Sequence, residues 1–224
     1  MISIKAALLF GVLAFSVFVP TTTEAAELPM KKDDPELAHA VEEALASGTE
    51  PIVLRETLYQ IAPYIGFPKV EDALETTNDV FRKHGVQLPL AELGTVTDEN
   101  RLEKGLDMQI DLYGDRIREM RASAPDDAKH IQNNLASFCF GDTYTRKGLD
   151  IQQRELITFA AIATLGGAEP QLKGHIAGNK SAGNSREKVI AALTVISPYI
   201  GFPRTLNAMR CINEAYPLET ETDK

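Results

Sequence analysis

Cysteine is scarce in this 224-residue chain: Cys139 and Cys211 are the only two, 72 positions apart. No C-x-x-C pair exists, so a dithiol redox motif and a neighbouring pair of thiolate metal ligands are both excluded. The four histidines, His39, His84, His130 and His175, do not pair at ligand spacing, so no metal constellation is expected. A glycine-rich phosphate cradle and a nucleophile elbow are also missing. Alternating strand-like runs of useful length are absent. The nearest, Val86 to Leu90, is interrupted by Pro89. Basic residues are in deficit, 23 against 32 acidic, for a net charge of −9. That balance argues against phosphate-backbone binding, so no nucleic acid partner is expected.

Long apolar runs are lacking too, apart from one at the N-terminus. Lys5 precedes an apolar stretch from Ala6 to Val19, followed by Pro20 and a Thr-rich segment ending in Glu24-Ala25-Ala26. A basic start, a short apolar core and small residues before a cut describe a secretory signal peptide, assigned to residues 1–25. The run is short for a membrane span. No stable membrane insertion is expected after cleavage, and the product should be exported, periplasmic or secreted. No cysteine follows the run to carry a lipid. An oxidising compartment permits a disulfide, but sequence alone does not bring the two Cα atoms within bridging distance. Two buried thiols are expected.

The rest reads as all-α. Residues 26–35 form a mobile leader. Helices are expected from Glu36 to Ala46, from Pro51 to Ala62 with Pro63 as breaker, and from Pro68 to about Lys83. Residues 85–97 form a Pro- and Gly-containing linker at a domain boundary. From residue 98 onward, Ile110, Tyr113, Ile117 and Met120 recur at helical spacing, as do Ala128, Ile131, Leu135 and Phe138. Asp150 to Gln153 forms a capping box, and the helix behind it is apolar nearly all round, as a central buried helix should be. Pro170 opens a helix bearing His175. Asn184-Ser185 caps another, broken at Pro198 and Gly201. Pro203 opens the last, with Leu206, Met209, Ile212 and Tyr216 as its stripe. Residues 217–224 form a tail.

The word PYIGFP occurs twice, at 63–68 and 198–203. In that register Gly48 meets Gly183, Leu58 meets Leu193, Ile61 meets Ile196 and Phe81 meets Tyr216, which signals duplication. The first copy is incomplete, so residues 36–84 read as a half unit and 98–216 as a complete one.

Gly141-Asp142, Gly148-Leu149-Asp150, Arg154-Glu155-Leu156, Gly166-Gly167, Glu169-Pro170-Gln171-Leu172, His175 and Gly201-Phe202-Pro203 occur in this order. Together they resemble the carboxymuconolactone decarboxylase family, within the alkylhydroperoxidase D-like superfamily. The resemblance implies an all-α helical bundle assembled as trimers or hexamers. It also implies one of two chemistries, cofactor-free decarboxylation of a carboxylated muconolactone or thiol-dependent peroxide reduction. Ala168 and Gln171 stand where the peroxidase branch has its cysteines, so the thiolate is missing and the decarboxylase branch is favoured.

Decarboxylation leaves negative charge on the lactone carbonyl, which needs hydrogen-bond donors and then a proton. His175 is the candidate proton donor or oxyanion stabiliser, and Glu155 could orient it. Gln171, one turn before His175, could donate to the substrate. Arg146, Arg154 and Arg204 are the candidates for a spectator carboxylate, and Tyr144 could line the pocket. Tyr199, Phe202 and Pro203 read as a hinge and packed wall. The leading expectation is an exported lyase acting on a small carboxylated lactone or related acid, with no cofactor and no metal. Two alternatives stand beside it: a non-catalytic small-molecule binding or scaffold protein, and an antioxidant using Cys139 or Cys211.

Overall fold

The computed structural model describes residues 34–218, and the chain there is all-α, without strands among the described residues. The expected signal peptide, most of the leader and most of the tail lie outside the described residues. Helices α1 (Pro35–Ala46), α2 (Pro51–Ile65) and α3 (Phe67–Lys83) form the N-terminal part. After a helix-free linker come α4 (Arg101–Tyr113), α5 (Arg116–Ala122) and α6 (Lys129–Asn134). α6 passes into a π-helix, Leu135–Tyr144. Helices α7 (Ile151–Leu165), α8 (Glu169–Ser181) and α9 (Arg186–Ala215) complete the chain.

α7 is the axis of the fold. Asp150 accepts from the Gln153 amide at 2.7 Å, and Gln153 Oε1 accepts from the Asp150 amide at 2.9 Å, closing the capping box. Every residue from Arg154 to Thr164 is buried. Ile157 and Ala161 join a core with Leu54, Leu58 and Phe81 of the N-terminal helices. Leu156, Phe159 and Ile162 join a second core with Ile176, Val189 and Ile212. Burying each of these larger side chains contributes roughly 1.5–3 kcal/mol. A single helix is therefore shared by both halves of the chain.

Several expected boundaries shift. Pro63 lies inside α2, and Gly66 ends the helix at φ 89° and ψ 148°. Pro198 likewise lies inside α9, and the break falls at Gly201, at φ 73° and ψ 163°. Both copies of the repeated word thus turn at glycine, in a region that L side chains rarely adopt. Proline near a helix end interferes only with the preceding turn, whereas positive φ stops the helix outright. The expected stripe from Ile110 to Met120 is divided at Gly114, and Ile131 is 57 % exposed instead of buried. In the last stretch Ala208, Cys211 and Ile212 are buried and Leu206 is 64 % exposed. Tyr199 and Phe202 are exposed, so they form no packed wall. By contrast, Phe67 in the first copy stacks on Phe138 at 4.9 Å between ring centroids.

Candidate active site

Glu155 lies in the second turn of α7 with its side chain fully buried. A carboxylate in that position needs donors, and the surrounding helices supply them. Tyr144 from the π-helix donates to Oε1 at 2.7 Å, and Tyr113 from the end of α4 donates to the same oxygen at 2.9 Å. His175 of α8 brings Nδ1 within 3.2 Å of Oε2 and 2.9 Å of the Tyr113 hydroxyl. Both phenol protons point at Glu155, so the arrangement is satisfied when Nδ1 also carries a proton. Nε2 then keeps its lone pair, or a second proton in the imidazolium. It makes no hydrogen bond to a described residue. Burial, reinforced by the Glu155 charge, pushes the Tyr113 and Tyr144 hydroxyls well above the usual phenol range. They remain donors at neutral pH.

Asn179 fixes the approach of α8 to α7. Its amide donates to the Glu155 and His175 carbonyls at 2.9 and 2.8 Å, and Asn184 donates to its oxygen at 2.8 Å. Gly178 permits the contact, because a Cβ there would fall 2.5 Å from Glu155 Oε2 and 2.8 Å from Tyr113 Cε1. Gly178→Ala is therefore expected to cost roughly 1–3 kcal/mol in thermal denaturation, as overpacking of a filled site does. Gly174→Ala, where a Cβ meets nothing within 4 Å, should leave stability unchanged or slightly raised.

His175 lines a cavity of about 390 Å³. Pro63 and Tyr64 come to its wall from α2, Ile162 and Leu165 from α7, and Met120 and Leu135 close the apolar side. The polar lining includes Gln109, Gln171 and Arg116. Arg116 stacks on the Tyr113 ring, 5.2 Å from its centroid. A mostly apolar concavity with a few convergent polar groups suits a small organic acid.

The residues singled out from sequence separate into three groups. His175 and Gln171 line the cavity, and Glu155 stands directly behind His175. Tyr144 lies one step further in, bonded to Glu155 and to Thr158 at 3.1 Å, and it does not line the cavity. Arg146, Arg154 and Arg204 are not among the lining residues. Arg146 clamps Glu56 at 2.7 and 3.1 Å. Arg154 donates to Gln60 and to the Arg146 carbonyl, and burial lowers its guanidinium to about 10. Arg204 lies against Gly166. The Arg146 and Arg154 guanidiniums are engaged by the fold, Arg204 lies away from the cavity lining, and Arg116 is the guanidinium among the described lining residues.

Cys139 lines the cavity beneath Tyr64, whose hydroxyl is 3.2 Å from its sulfur. Burial pushes this thiol up to about 12. Cys211 is also free and buried in the other core, and burial raises its thiol as well. Neither cysteine offers a thiolate at neutral pH.

Residues 130–214 match the model of the carboxymuconolactone decarboxylase family. A 15.0 kDa uncharacterized protein of Paracoccus denitrificans, encoded in the nqo9-nqo10 intergenic region, is 30 % identical over 92 residues. Those residues are 41 % of this chain and 69 % of the relative. Residues 130–214 belong to the carboxymuconolactone decarboxylase family. The chain is also 25 % identical over 122 residues to the 4-carboxymuconolactone decarboxylase of Acinetobacter baylyi (strain ATCC 33305 / BD413 / ADP1), covering 54 % of this chain and 90 % of that enzyme.

The family segment contains Glu155, His175 and Tyr144, while Tyr64, Gln109, Tyr113 and Arg116 precede it. These four were missed in the sequence as site residues. Tyr64 sat in a hinge word and Tyr113 in an apolar stripe. One signal was available for Tyr113: Gly114 directly after it breaks the stripe at the point where α4 reaches Glu155.

Proposed function

We propose that this protein is a cofactor-free carboxy-lyase acting on a small carboxylated lactone or a related acid. The observation that carries the reading is the Glu155–His175 pair at the cavity wall, with Nδ1 engaged and Nε2 left without a partner among the described residues. In the reaction the bond between ring carbon and carboxyl carbon breaks and carbon dioxide leaves. The electron pair passes into the ring as a dienolate with charge on the lactone oxygen. Apolar surroundings such as Ile162 and Leu165 disfavour the starting carboxylate more than neutral carbon dioxide, which lowers the barrier. The Gln171 amide, at the cavity lining, donates to the developing oxyanion in this reading. The imidazolium then delivers its Nε2 proton to carbon, and solvent restores it. Glu155 stabilises the imidazolium and holds its orientation.

Export through residues 1–25, assembly into trimers or hexamers, and origin of the N-terminal helices as a partial duplication belong to the same proposal. The shared glycine turn at the two PYIGFP copies supports the last of these. The test is carbon dioxide release from 4-carboxymuconolactone by the purified protein. His175→Ala is expected to lower the rate roughly 10²–10⁴-fold, the range of a positioned acid. Equal release by both proteins, or none by the unaltered one, overturns the reading.

A further inference from the structure

We infer that Gln109 and Arg116 form a recognition subsite for a small acid carrying one carboxylate and, further in, a carbonyl oxygen. The inference rests on reading the cavity as the substrate site. Gln109 is 3 % exposed and lines the cavity, yet its side-chain amide makes no hydrogen bond to any described residue. Neither of its amide atoms is among the fully buried polar atoms that lack a partner, so the accessible part of Gln109 faces the cavity. The described helices supply no partner for it, so a polar group of a molecule in the cavity is its natural complement.

Arg116 supplies the second half of the subsite. Gln109 and Tyr113 are four residues apart on α4 and share one face of it. Arg116 follows just beyond the Gly114 break and lies on the Tyr113 ring. Gln109, Tyr113 and Arg116 therefore form a column from the cavity interior to its exposed rim. The Arg116 guanidinium has no carboxylate partner among the described residues, and the Tyr113 ring holds it in place. It is free to take a carboxylate through paired hydrogen bonds. A second carboxylate held permanently in the interior would face mainly apolar walls, so the subsite selects one retained carboxylate.

The test measures binding without turnover, by titration calorimetry with three probes: 4-oxo-4-phenylbutanoate, its methyl ester, and 4-phenylbutanoate. The keto acid should bind about tenfold or more tightly than the ester, as a charge-assisted pair predicts. Arg116→Gln should remove that difference and leave ester affinity unchanged. Gln109→Leu should weaken the keto acid to the level of 4-phenylbutanoate and leave 4-phenylbutanoate itself unaffected. Equal binding of acid and ester, indifference to either substitution, or no binding of any probe overturns the inference. A protein that binds with this pattern but releases no carbon dioxide overturns only the lyase reading. One that releases it without the pattern overturns only the subsite.

Discussion

Glu155→Gln is expected to lower kcat for carbon dioxide release by roughly 10²–10⁴ while leaving the melting temperature unchanged or raised. The substitution keeps the shape and removes the charge. Its amide oxygen can still accept from Tyr113 and Tyr144, now at 2.9 and 2.7 Å from Oε1. Its NH₂ group, however, would face His175 Nδ1, which lies 3.2 Å from Oε2. Two N–H donors cannot share that contact. The imidazole must move its proton to Nε2 and accept at Nδ1, and the stabilising charge for the imidazolium is lost. Stability should not fall, because a buried charge has been replaced by a neutral group with similar hydrogen bonds. Rate measurements over pH beside thermal denaturation check this. A parallel loss of stability and activity would show a structural role alone, and an unchanged rate would remove Glu155 from the mechanism.

Local signals in the chain were most legible where one residue type has one physical use. Asp150 and Gln153 announce a capping box, and the unbroken apolar run behind them announces a buried helix. Glu155 and His175 stood out through the motif order around them, but their distance depends on how α8 folds back on α7. That in turn depends on Gly178 and Asn179, neither of which has a distinctive local pattern. Tyr64 belongs to the repeated PYIGFP word and Tyr113 to an apolar stripe, and an aromatic at helical spacing is usually core. Only the packing of α2 and α4 around α7 turns their hydroxyls toward Cys139 and Glu155. Arg146 and Arg154 show the opposite case. A guanidinium is equally suited to a substrate carboxylate and to a buried protein one, and the residue that engages them, Glu56, lies about ninety positions away from Arg146.

Glu56→Ala should be strongly destabilising, at roughly 3–5 kcal/mol. Glu56 is fully buried in α2 and accepts from Arg55 at 2.9 Å and from Arg146 at 2.7 and 3.1 Å, with Arg154 at 3.8 Å. Burial works to lower the Arg146 guanidinium, and the hydrogen bonds and charges of Glu56 and, next, of exposed Glu92 at 2.9 Å outweigh it, leaving it above the usual range. Removing the carboxylate leaves Arg154 and Arg55 without a carboxylate partner and Arg146 with only the exposed Glu92, between the N-terminal helices and α7. The melting temperature should fall by roughly 6–20 °C for a chain of this size. Glu56→Gln, which keeps acceptor and shape, should lose less. The damage should also reach the site. Arg154 donates to Gln60 at 2.8 Å, Gln60 to Thr158 at 3.1 Å, and Thr158 meets the Tyr144 hydroxyl that holds Glu155. At a temperature where Glu56→Gln is still folded, its kcat should therefore fall while KM stays close to the original value. A KM increase with unchanged kcat would instead mean that the cluster supports the cavity wall and not the Glu155–His175 pair.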